Sequence, residues 1–295
     1  MKDLAELLRA IAALLWPVLA FTAVFAFRAE FRSLLGRLRK GKLLGQEIEL
    51  AASLDRLEAA ASAAASEVAA LPPAPEPSEP SAKDTSDGSD IGRILSLSGQ
   101  SPKAALLLLA SEMEREVRQL VARLGLLKGR RTVSLREGIV ALQQWDGLPV
   151  HVPSSVEQFY KIRSRLVHGQ DVTNDDVLRG IDSGVTILRT LEGIPRETNV
   201  VYHPGVEIFS DAACTQRIDG AKGVILETKS PGGTISSRRI FPSTREHFRR
   251  GKVVAWEWSD EHQFGPAWYR DPESKEIKEA WSSSLEFVGR HLEDI

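Results

Sequence analysis

Three groups of side chains in this 295-residue sequence have types and spacings suited to phosphate or proton chemistry. The first is Tyr160-Lys161-Ile162-Arg163-Ser164-Arg165-Leu166-Val167-His168-Gly169, where two arginines precede a histidine that is followed by glycine. Imidazole titrates at about 6.5, so it can take up and return a proton near neutral pH. A guanidinium holds phosphate through two parallel charge-assisted hydrogen bonds. The second group, Lys128, Arg130, Arg131 and Arg136, is a basic run able to track a phosphate backbone, with a solvated loop as the plain alternative. The third sets Trp256, Trp258, Trp268 and Trp281 beside Arg238, Arg239, Arg245, Arg249, Arg250 and Lys252. Such a mixture can stack single-stranded bases while cations follow the backbone. Trp256 and Trp258 also alternate as core residues of a strand do, which is the simpler reading.

Other chemistries find no support. His151, His203, His247, His262 and His291 are scattered without metal-ligand spacing, and there is no P-loop or dinucleotide fingerprint, so neither a metal nor a cofactor is expected. Ser230-Pro231-Gly232-Gly233 reads as a hairpin turn rather than a phosphate cradle. A single cysteine, Cys214, excludes a disulfide framework within one chain and a multi-thiolate zinc site. Charged residues make up 26% and the net charge is -2, which excludes a globally basic nucleic-acid binder.

Four amphipathic segments position the first two groups. One is opened by Ser101 and Pro102 and runs through Leu106, Leu109, Met113, Val117 and Leu120 to Gly125. A second runs from Ser134 to Trp145. A third is opened by Ser154 with Glu157 as a capping box and runs to Gly169. The fourth starts at Thr173 or Asn174 and ends before Gly193 and Pro195. Positions five apart on a helix lie about 140° apart. Arg163 and His168 therefore share one pocket within a chain only if the helix ends near His168, which Gly169 favours.

The Arg-x4-His spacing, the apolar pair before the histidine, the glycine after it, and its place late in the third of four helices resemble the HEPN (higher eukaryotes and prokaryotes nucleotide-binding) domain, over residues 95–195. The resemblance implies a four-helix bundle in which the motifs of two protomers meet and cut RNA without metal. Arg163 and His168 match the motif's positions. His168 would move a proton between a ribose hydroxyl and the leaving oxygen, and Arg163 would hold the scissile phosphate. Ser164 takes the place where active members carry Asn, Asp or His; it can hydrogen-bond, with a shorter reach. Lys128, Arg130, Arg131 and Arg165 would contact RNA. On this reading the chain is a ribonuclease of stress response or phage defence. The alternative is a non-catalytic membrane scaffold that dimerises or binds a nucleotide or protein through the bundle, with a β-domain sensor.

The remaining segments set the expected organisation. Ile11 to Phe27 carries no charge, and starting from Leu7 it gives a helix of about 31 Å, enough to span a bilayer. Arg28, Arg32, Arg37, Arg39, Lys40 and Lys42 follow it, placing the N-terminus outside and the rest in the cytoplasm. Leu50, Leu54, Leu57, Ala61, Ala64, Val68 and Leu71 form a short heptad seam, read as a homodimeric coiled coil or a lone helical stalk. Leu71 to Asp90, rich in Pro, Ser and acid, reads as a disordered tether. After Pro195 come short β runs punctuated by turn residues. The expectation is thus a multi-domain chain: transmembrane anchor 1–30, juxtamembrane helix or coiled coil 31–70, linker 71–94, all-α HEPN-like bundle 95–195, and a small, mostly β domain 196–295. Its location is the cytoplasmic membrane, single-pass. Its expected partners are the membrane, RNA, a second copy of the chain, and a protein or ligand at the C-terminal domain.

Overall fold

The computed structural model describes residues 28–71, 87–145, 148–169, 172–231 and 235–295. Contacts divide the chain into Met1–Ser53 and Leu54–Ile295. The described residues form six α-helices: α1 Arg28–Ala69, α2 Asp87–Ser98, α3 Pro102–Arg123, α4 Leu135–Gln143, α5 His151–His168 and α6 Asn174–Glu192. Capping boxes start two of them. Ser134 and Glu137 bond reciprocally ahead of α4, and Thr173 and Asp176 do so ahead of α6, each pair satisfying amides the first turn leaves open. Helix α3 buries Leu106, Leu109, Met113, Val117 and Leu120 completely, and α5 turns Val152, Val156, Phe159, Ile162 and Leu166 inward.

Helix α5 begins earlier than its sequence suggests. Ser154 lies inside the first turn, and the open amide of His151 instead donates to Glu67 Oε2 at 3.1 Å, while His151 Nδ1 sits 2.5 Å from Glu67 Oε1. The cap comes from α1.

The expected fold class is corrected. In place of an anchored four-helix bundle followed by a β domain, the described chain has six helices and eight strands in three small sheets. Among the described residues no helix is long and apolar enough to cross a membrane. The apolar run 11–27 that carried the span lies outside the described residues, so the single-pass membrane location that rested on it is withdrawn. The seam Leu54, Leu57, Ala61 and Ala64, at most 2% exposed, packs within its own chain. Arg179 of α6 pairs with Asp55 and Glu58 at 2.7 and 3.2 Å, and a Cβ added at Gly193 would stand 3.5 Å from Val68 Cγ1. Helix α2 falls partly within the expected linker and buries Ile94; residues 72–86 of that linker lie outside the described residues.

Strands β1 Thr198–Val206, β3 Lys222–Lys229 and β4 Ser236–Ser243 form an antiparallel sheet in the order β1-β3-β4. Strands β2 Ile208–Phe209, β6 Ala267–Arg270 and β7 Ile277–Trp281 form a second, and β5 Trp258–Phe264 pairs with β8 Ser284–Phe287. The tip of the β3–β4 hairpin, 232–234, lies outside the described residues. Alternate residues of β3 feed two cores. Ile225 joins Ile240, Val206, Ile208 and Trp281, whereas Val224 and Leu226 join Val201, Phe248, Val254 and Phe287. Trp256 and Trp258 pack edge-on to Phe241, with centroids 5.7 and 5.1 Å away. Those two indoles therefore serve the core rather than an open stacking surface. The run from Val253 contributes only isolated bridges to Val200 and His291, and the strand starts at Trp258.

Helices and sheets pack into one unit. After α3 the chain turns through Gly125, at φ +73°, where an added Cβ would stand 3.1 Å from Trp256 Cδ1. The Trp256 amide donates to Ala122 O at 3.0 Å. Arg196, in the segment leading into β1, and Glu116 of α3, 12% and 14% exposed, pair at 2.8 Å.

Candidate functional site

Helix α5 ends at His168, and the Gly169 amide donates to Arg165 O at 2.7 Å. Gly169 stops the helix in an extended conformation, φ -67°, ψ 138°. The two motif residues, five apart, differ in exposure. Arg163 is half-buried, and its Nε is enclosed without a hydrogen-bond partner among the described residues. It sits close enough to Tyr160 for its charge, with those of Glu114 and Arg118, to act on that phenol. Burial dominates there and pushes the Tyr160 hydroxyl well above its ordinary value. The hydroxyl donates to Ala110 O of α3 at 2.5 Å. Arg163 thus belongs to the α3–α5 packing layer. Ser164 and His168, four apart, both lie exposed on the outer face.

The basic loop between α3 and α4 is built differently. Lys128 and Gly129 adopt left-handed conformations, φ 49° and 72°, and stand exposed. Arg130 pairs with Glu137 at 3.3 Å. The carbonyls of Arg130 and Arg131 accept from the Arg290 guanidinium, which also forks onto the buried carboxylate of Glu257 at 2.8 and 3.0 Å. The loop's backbone is therefore fastened to the β portion, while its side chains face solvent. Arg165 is half-buried on α5. Among the described residues no hydrogen bond joins the loop to Arg163, Ser164 or His168. A cleft of about 480 Å³ opens between α4 and α5, lined by Ile139, Val140, Gln143, Glu157, Tyr160 and Lys161, among others. Arg136 lines it too, but none of the three motif residues does.

Comparison with family models, curated proteins and solved structures finds no match to this chain.

Among the other histidines, His247 and His291 lie together. His247 Nε2 meets Gly289 O, and His291 Nε2 meets His247 O, both at 2.9 Å. Among the described residues no cluster of His, Cys, Asp and Glu could hold a metal ion. One pair went unforeseen in the sequence. His262 Nδ1 lies 3.1 Å from Oε2 of Glu286, whose side chain is wholly buried. Glu286 Oε1 also accepts from the Thr244 amide at 3.0 Å and from its hydroxyl at 2.5 Å. A bulge between Ser259 and Gln263 of β5 makes the pairing reachable. Ser259 pairs with Glu286 and Gln263 with Leu285, so three extra residues arch outward and return His262 to the carboxylate.

Proposed function

We propose that this chain is a non-catalytic binding protein, a helical scaffold packed onto a small β portion that meets the ligand or partner. The observation that carries this reading is the position of Arg163, half-buried beside Tyr160 in the α3–α5 layer while His168 is exposed at the helix end. A general acid–base histidine and the guanidinium that steadies its phosphate must converge on one scissile group. Side chains about 140° apart on one helix do not do so within a protomer. The buried seam of α1 argues the same way, since it spends on the chain's own packing a surface that a coiled-coil dimer would need.

The second reading, a HEPN-like metal-independent ribonuclease of stress response or phage defence, draws on the shared exposed face of Ser164 and His168. It needs a second protomer to supply the phosphate-gripping charge. Incubating the chain with total RNA in a chelator separates the two. Intact RNA, with Arg163→Ala and His168→Ala indistinguishable from wild type, supports the binding protein. Fragmentation that both substitutions abolish supports the nuclease.

A further inference from the structure

Two guanidiniums meet at one ring on the first sheet. Strand β1 bulges at Tyr202, between the pairs Val201–Leu226 and His203–Ile225. The Tyr202 ring packs against the core of Ile225 and Ile240, and its hydroxyl donates to Glu273. Arg238 lies over this ring with its guanidinium carbon 3.7 Å from the centroid, and Arg250 stands 5.4 Å from the same centroid. Both are within cation–π range. Arg250 is held there by the backbone. Gly251, at φ +80°, donates to Val201 O at 2.8 Å, and the Val201 amide donates to Lys252 O at 2.9 Å.

Glu273 takes Arg238 at 2.8 Å, and Glu293 alone takes both Arg249 and Lys252, at 2.7 and 2.6 Å. No ion pair among the described residues involves Arg250, which is exposed. Holding two guanidiniums at one ring leaves a repulsion that an anion would relieve. His203, next along β1, reports the same field: burial first, and then the Arg250 charge, hold its pKa below the ordinary value. Its Nδ1 accepts from the Gly205 amide at 3.3 Å, so the proton of the neutral ring is on Nε2 and available to an acceptor.

We infer that Arg250, with Arg238 and the Nε2–H of His203 around Tyr202, is a subsite for a phosphate ester, either of a free nucleotide or of a single-stranded RNA backbone. Guanidinium suits that ligand because its planar fork matches two phosphate oxygens, which a lysine does not. Tyr202 and Glu273 keep Arg238 in place, and the exposed Arg250 makes first contact.

The inference extends the binding-protein reading and is tested apart from it with full-length chain and three probes: a labelled ten-nucleotide single-stranded RNA, AMP and inorganic phosphate. Fluorescence anisotropy should show the RNA binding at low salt and weakening as salt rises. Arg250→Ala should weaken it roughly tenfold, the worth of one charge-assisted contact. Arg250→Lys should fall between, and Arg189→Ala, which removes an exposed arginine of α6, should change affinity less than about twofold. Competition by AMP alone identifies a nucleotide ester as the ligand, and competition by both AMP and phosphate identifies the phosphate group itself. Equal losses in Arg250→Ala and Arg189→Ala, no competition by either small anion, or no binding of any probe would overturn the subsite. Running the same RNA on a gel reads cleavage separately, so failure of the binding-protein reading would be seen independently.

Discussion

His262 on the arch of β5 holds its Nδ1 3.1 Å from the Oε2 of Glu286, a carboxylate with no solvent exposure. That contact fastens the arch to β8, and the Thr244 amide and hydroxyl join the end of β4 to the same group. Arg245 lies 3.8 Å away as the other charge facing it. Burial alone would raise this carboxyl. The bonds from Thr244 and His262 and the charge of Arg245 outweigh it and hold the pKa below the usual 4.5. A depressed carboxylate stabilises the fold above its unfolded pKa and loses that contribution as pH falls through the folded value. Glu286→Gln should therefore cost about 1–3 kcal/mol at neutral pH. In thermal melts the gap between wild type and variant should narrow as pH drops below 4.5. A gap that stays constant to strongly acidic pH would count against the anchoring role.

The α1 seam makes a different demand. Leu57 is fully buried against the chain's own helices, so Leu57→Ala should destabilise by about 2–5 kcal/mol through the cavity it leaves. Light scattering should show the same oligomeric state before and after. Loss of a dimer at unchanged monomer stability would restore the intermolecular coiled coil.

At the junction of helices and sheets, Gly125→Ala meets both a left-handed backbone and the Trp256 side chain 3.1 Å from the new Cβ. It should cost about 1–2 kcal/mol from conformation alone. Limited proteolysis should cut the 128–131 loop faster in this variant, because Arg290 can no longer hold the loop carbonyls in register. Unchanged proteolysis and melting would mean the junction is looser than its contacts imply.

What could be read in advance follows from how local each signal is. The starts of α4 and α6 were legible because their caps, Ser134–Glu137 and Thr173–Asp176, span three residues. The start of α5 was not, because its amide is satisfied by Glu67, 84 residues away. The seam of α1 was visible as a period, but periodicity cannot say whether the covering surface belongs to the same chain. Trp256 and Trp258 pack against the core as expected, but only Trp258 lies on a strand, so alternation along one strand is not what places them. Glu286 and His262 carry no local pattern at all. They meet only because β5 bulges. Arg163 and His168 fall late on one helix that ends at His168, and they differ in exposure, Arg163 half-buried and His168 open.

Arg163 works in the packing between α3 and α5 while His168 stands outside it. Melting temperatures of Arg163→Ala and His168→Ala, measured side by side, test this most directly. Arg163→Ala should lose about 1–3 kcal/mol, and His168→Ala should change stability by no more than about 0.5 kcal/mol. Equal small changes in both, or a larger loss for His168→Ala, would contradict it.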